Sequence, residues 1–135
     1  MIDPLDRSTW PGYQNADPIW KICHAIALAE GYNKEGSVPS KLCNPGDIGD
    51  FSLVYSFEEH SGSKITVFPT HEIGFERLYN KLRNIKAGIS NVYSIDDTWH
   101  EFARKWAGDS LNWCNNVCSE LKVNPDTTLR QYFGG

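Results

Sequence analysis

Apolar residues fall at helical spacing in several stretches of this chain and take on strand character in one short region. Ile19, Ile22, Cys23, Ile26 and Ala27 mark the first helix. Asp17 stands before them as an N-cap and Pro18 occupies the first helical position, so the helix is predicted from Pro18 to Glu30. Residues 1–16 read as an irregular arm. Residues 31–50 are dense in Gly, Pro, Asn and Ser and read as a long loop, a length that is often functional. Phe51 to Phe57 and Lys64 to Phe68 have strand character, and Glu58 to Ser63 connect them as a hairpin. Thr70 is the expected N-cap of a second helix carrying Ile73, Leu78, Leu82 and Ile85. Ser94 with Asp97 resembles a capping box for a third, with Trp99, Phe102, Ala103 and Trp106 on one face. Trp113, Val117 and Leu121 mark a fourth, and Asp126 is expected to cap a short C-terminal turn ending near Tyr132. The order predicts an α+β fold, mostly α, as a single domain over residues 1–135 with a small β-hairpin after the first core helix.

Glu30 breaks the pattern. It continues the apolar stripe of the first helix, eleven residues beyond Ile19 and four beyond Ile26, and Gly31 follows it. A carboxyl group that points with the core residues is disfavoured in its charged form by burial and by the negative end of the helix dipole. Both effects keep a proton on it towards neutral pH, which suits a general acid. The ordinary alternative is a helix-terminal glutamate turned out into solvent.

Composition narrows the function. The net charge of −4 and the lack of a basic run argue against nucleic acid as a partner. That charge gives no general attraction to anionic cell surfaces either, so binding to a wall polymer would need a local cleft. Five Trp and six Tyr are many for 135 residues; such rings fill cores and also line sugar clefts. No stretch reaches the roughly 18 apolar residues of a membrane span. Met1-Ile2-Asp3-Pro4 shows no signal peptide. Cys23, Cys43, Cys114 and Cys118 fit two disulfides in an oxidising compartment, with a four-thiolate zinc site and free buried thiols as the alternatives. Cys114 and Cys118 are one helical turn apart, which favours distant partners for each. His24, His60, His71 and His100 lack metal-ligand spacing, and neither a phosphate loop nor a nucleophile elbow is present, so no cofactor and no metal are expected.

Two segments belong together: Ala27-Leu28-Ala29-Glu30-Gly31-Tyr32 and Cys43-Asn44-Pro45-Gly46-Asp47-Ile48, with Gly36-Ser37-Val38-Pro39 between them. Their order resembles the lysozyme-like superfamily of phage and bacterial proteins, which includes goose-type lysozymes and lytic transglycosylases. Val67-Phe68-Pro69-Thr70-His71-Glu72-Ile73-Gly74-Phe75 is similar to the strand-to-helix step of that group. Asn115-Asn116-Val117, followed by Val123-Asn124-Pro125-Asp126-Thr127-Thr128-Leu129, is similar to its C-terminal part. The resemblance spans about Ile19 to Leu129. Cys43 departs from it, standing where a second asparagine is more usual.

The resemblance implies cleavage of the peptidoglycan glycan strand at the β-1,4 bond between N-acetylmuramic acid and N-acetylglucosamine, with Glu30 as the acid. It implies a secreted, periplasmic or phage-released enzyme acting as a monomer. A second carboxylate is expected at Asp47 or, after it, Glu72, with Asp50 and Glu35 behind them; each also has an ordinary reading as a surface or cap residue. Some members of the group use no second carboxylate and let a sugar hydroxyl attack. Tyr32, Asn44 and Tyr93 are the expected substrate-binding residues, with stapling of the loop as the alternative for Tyr32 and turn chemistry before Pro45 as the alternative for Asn44, while Trp106 and Trp113 read as core. The competing readings are a non-catalytic structural or glycan-binding protein and a hydrolase of another polysaccharide such as chitin.

Overall fold

A computed structural model of the chain describes residues 1–50 and 54–134. Among the described residues six helices and one hairpin follow in order: α1 (Pro18–Ala29), α2 (Val38–Lys41), β1 (Ser56–His60), β2 (Ser63–Val67), α3 (His71–Lys86), α4 (Trp99–Trp106), α5 (Ser110–Leu121) and α6 (Leu129–Tyr132). The fold is α+β and mostly helical, with one antiparallel two-stranded sheet. No helix among the described residues is long and apolar enough to cross a membrane.

Helix α1 begins as the sequence predicts: the Asp17 side chain accepts from the Ile19 amide, and Pro18 needs no donor there. Its buried stripe packs against α3 and α5, and α5 packs against α4. Ile22, Ile26, Leu78, Leu82, Phe102 and Val117 form the centre of the resulting core, each essentially inaccessible to water. A second cluster joins the N-terminal arm to this body. Ile2 and Trp10 bury themselves against Ala27, Tyr32 and Phe75, and the Trp10 indole donates to the Asp3 carbonyl at 3.1 Å. The arm is irregular apart from a single 3-10 turn at Arg7–Thr9.

The expected long loop contains the short helix α2, capped by Ser37, whose hydroxyl accepts from the Ser40 amide. The hairpin is shifted from its predicted position. The part of the predicted first strand at residues 51–53 lies outside the described residues, and Glu58 to His60 belong to β1 and not to the connection. The register pairs Ser56 with Val67 and His60 with Ser63, leaving Ser61-Gly62 as a two-residue turn. Both turn residues have positive φ, +51° and +82°, as a twisted two-residue hairpin demands. Because β1 is exposed along most of its length, it carries no apolar alternation to reveal it.

Two caps also differ from the prediction. Thr98 and Glu101 form the reciprocal box that opens α4, while the Asp97 carboxylate closes the turn before it by accepting from the Ser94 amide at 3.0 Å. Thr128 with Gln131, and not Asp126, caps α6. The expected disulfides are absent: all four cysteines are free thiols. Cys114 and Cys118, expected to seek distant partners, instead touch each other across one turn of α5, Sγ to Sγ at 3.8 Å.

Candidate active site

Local structure explains why Glu30 stands where it does. Gly31 takes φ +79°, and its amide bonds to the Leu28 carbonyl while the Tyr32 amide reaches back to Ala27 at 3.0 Å. This pair of bonds is a Schellman cap, and it makes Glu30 the last residue of the helical path. The motif calls for an apolar residue just after the glycine that packs back on the helix. Tyr32 fills that role, fully buried in the cluster with Ala27. Its hydroxyl meets His71 Nδ1 at 2.8 Å. Tyr32 therefore anchors the chain and has no face free to stack on a sugar, contrary to the expectation from sequence.

The turn that follows α2 is held from three sides. Asn44 is fully buried, its amide donating to the carbonyls of Ile48 (2.8 Å) and Thr66 (2.9 Å) while its oxygen accepts from the Ile48 amide (3.0 Å). With its polar atoms engaged inside the protein, Asn44 is a brace and not a sugar ligand. Gly46 lies flat on α3, where a Cβ would stand 2.7 Å from a Leu78 methyl. Its carbonyl accepts from the Trp106 indole at 3.1 Å. Gly74 permits the equally close approach of α3, since a Cβ there would fall 1.9 Å from the Cys43 carbonyl oxygen. The turn so fixed presents Asp47 with φ +53°, a left-handed conformation that Asp tolerates better than most residues.

Glu30 and Asp47 share a cleft of about 480 Å³ between the helical body and the hairpin. Trp106 and Trp113 form its floor as a stacked pair with centroids 5.9 Å apart, and His60, Ser61 and Ser63 contribute the hairpin wall. Trp113 donates its indole N–H to Glu30 Oε2 at 3.0 Å. Burial, and then the charge of Asp47, push the Glu30 carboxyl up from 4.5 to about 7, against the opposing pull of the Trp113 and Trp106 indoles. Burial also raises Asp47, and the neighbouring His60 partly offsets it. One Asp47 oxygen, Oδ1, is buried without a hydrogen-bond partner. The pair is thus ordered: Asp47 loses its proton first, and its charge helps Glu30 keep one to about neutral pH.

Other candidates lie elsewhere. Glu72 sits in the first turn of α3 and accepts from the Ile2 amide at 3.4 Å, outside the cleft. Glu35 is exposed on the loop, and Asp50 faces Arg77 at 3.5 Å beyond the turn. Tyr93 lies next to the cleft, its ring 5.6 Å from that of Trp106. Trp106 and Trp113, read from sequence as core, are both core and cleft wall. His60 and the hairpin serines carried no signal at all. A second cavity of about 430 Å³ lies under the N-terminal arm, beside Arg7, Trp20 and His24. Among the described residues it contains no carboxylate pair: its one acid, Glu120, is ion-paired with Arg7 at 2.5 Å. Among the described residues no group of three or more His, Cys, Asp or Glu is arranged to hold a metal ion. No family model, curated protein or solved structure matches the chain.

Proposed function

We propose that the protein cleaves the β-1,4 glycosidic bond of peptidoglycan glycan strands, with Glu30 as the general acid and Asp47 as the second carboxylate. The observation that carries the reading is the half-buried Glu30 carboxyl, raised to about 7 beside an Asp47 that ionises before it, in one open cleft. Cleavage of an acetal needs a proton delivered to the leaving oxygen while positive charge develops on the sugar ring. Glu30 holds that proton at neutral pH and is aimed by its bond from Trp113. Asp47 carries the negative charge and lines the same cleft, where its carboxylate serves as the base for the attacking water. Trp106, the partly exposed member of the stacked pair, offers an apolar surface to a sugar ring, with the buried Trp113 behind it. The resemblance of the Glu30 and Asp47 segments to lysozyme-like proteins supplies the substrate, and with it a place of action at the cell wall.

Product analysis tests the reading. Purified peptidoglycan should be cut by the wild-type protein to fragments with reducing ends, and Glu30→Gln should stay folded and release none. Anhydro ends would move the attack from water to a sugar hydroxyl and remove Asp47 as base. No products from the wild-type protein would leave a glycan-binding module in place of an enzyme.

A further inference from the structure

The cleft does not end at Asp47. Beside it lies a small hollow of about 110 Å³ over Gly49, Tyr93 and Lys81, and Asp47 and Trp106 line both. A further hollow of about 300 Å³ lies beside Asn80 and Asn84, with Ile48, Gly49 and Lys81 common to the two. Sharing these wall residues, the three hollows adjoin one another, and together they are called the groove.

Lys81 stands at the middle of this groove. It projects from α3 and lies half-buried, with Nζ 5.3 Å from the ring centre of Tyr93 and 5.5 Å from that of Trp106. Among the described residues its ammonium has neither a hydrogen bond nor an ion pair. Ring faces stabilise a cation only in part, and an ammonium withdrawn from water without an acceptor is costly. The cost is visible as a lysine whose proton affinity is lowered by burial, against the opposing charge of Asp50. Asp50 itself faces Arg77, which also donates to the Tyr55 hydroxyl at 3.0 Å, so the other cation of the groove is already engaged.

We propose that Lys81 binds a carboxylate carried by the sugar beyond Trp106, so that the groove selects an acidic glycan over a neutral one. The inference rests on the reading of the cleft as a glycan-cleaving site and names its selectivity. In peptidoglycan strands free of stem peptides the carboxylate is the lactyl ether acid of every second sugar; where a peptide is attached that carboxyl is a neutral amide, so the selectivity is for peptide-free strands. Chitin has none, and Lys81 then faces the glycan without an anion.

Binding to the Glu30→Gln protein, followed by tryptophan fluorescence, tests this without consuming the ligand. Three peptide-free probes of equal length are compared: glycan fragments with free lactyl carboxylates, the same fragments with those carboxylates reduced to alcohols, and chitin fragments. The acid form should bind about tenfold more tightly than either neutral probe, as expected for one hydrogen bond to a charged group at a half-exposed position. Lys81→Met in the same background should abolish the difference between the acid and the neutral probes. Equal affinity for the acid and reduced fragments, absence of binding by both, or a preference that survives Lys81→Met would overturn the proposal. The comparison of acid with reduced fragments needs no change at Lys81, so a poorly folded variant does not decide it. The product analysis above is independent: a wild-type protein that cuts peptidoglycan without preferring the acid fragments keeps the cleavage reading and loses this one.

Discussion

Replacing Glu30 by glutamine should make the protein more stable at alkaline pH while it abolishes cleavage. The Glu30 carboxyl rises from 4.5 to about 7 on folding. At 1.36 kcal/mol per unit that is about 3 kcal/mol of preference for the protonated form. The sign follows from proton binding. Between pH 4.5 and 7 the native state holds a proton that the unfolded chain has released, so stability falls as pH rises through this window. Below pH 4.5 both states are protonated and nothing is lost; above 7 the whole cost is present. Glutamine is neutral throughout, and its amide oxygen can still accept from Trp113. The variant should therefore gain about 3 kcal/mol over wild type at pH 8 and nothing further at pH 4. For a chain of this length that corresponds to a rise of about 10 °C in melting temperature. The assay is thermal unfolding of both proteins at pH 4, 6 and 8, read as the change in their difference, so that any constant packing effect of the amide cancels. A difference that stays flat across this range would refute the assignment of a desolvated, protonated Glu30. A site residue that destabilises the fold where it works is the expected trade between activity and stability.

The neighbours of Glu30 should move its titration in opposite directions. Asp47→Asn keeps a residue that tolerates the left-handed backbone but removes the charge that raises Glu30, so Glu30 should titrate at lower pH by NMR, and cleavage should fall by about 100-fold or more as a base is lost. Trp113→Phe removes the N–H that holds the Glu30 pKa down, so the alkaline limb of the pH–rate profile should move upward; an unchanged limb would show that this bond does not act on the acid. Asn44→Ala leaves the buried Ile48 amide without its partner and should cost about 2–4 kcal/mol in urea unfolding, with no shift in the Glu30 titration.

The legible parts of this site are those fixed by local sequence. Glu30 was visible because a helical stripe, a glycine and an aromatic residue together define one cap, and the cap decides where the carboxyl group points. Asp47 was visible only as a member of a turn. The same local reading left Tyr32 and Asn44 between a sugar and the fold, because residue type alone does not tell a side chain that can reach a ligand from one whose polar atoms are consumed inside the protein. His60, Lys81 and the paired indoles were not legible. Each reaches the groove through the packing of elements far apart in sequence: α5 on α1 brings Trp113 to Glu30 across 83 residues, and the Trp106 bond to Gly46 spans 60.

That division has a physical basis in how the cleft is held. Its working groups are individually unfavourable: a desolvated acid, a left-handed aspartate with an unpartnered oxygen, and an ammonium without an acceptor. A left-handed residue other than glycine costs on the order of 1 kcal/mol, and a buried unpartnered oxygen adds to it. Such groups persist only where their supports are over-determined. Here the supports are the satisfied ones: the two bonds of the cap behind Glu30, the three bonds of Asn44 under the turn, and the glycine contact that seats the turn on α3. The supports are written in short motifs because backbone geometry demands particular residues, whereas the strained groups need only a chemistry and a direction. Relieving a support should therefore cost stability first, and relieving a working group should restore it. The opposite stability changes expected for Asn44→Ala and Glu30→Gln at pH 8 test that distinction directly, and a loss of stability in both would place Glu30 among the supports.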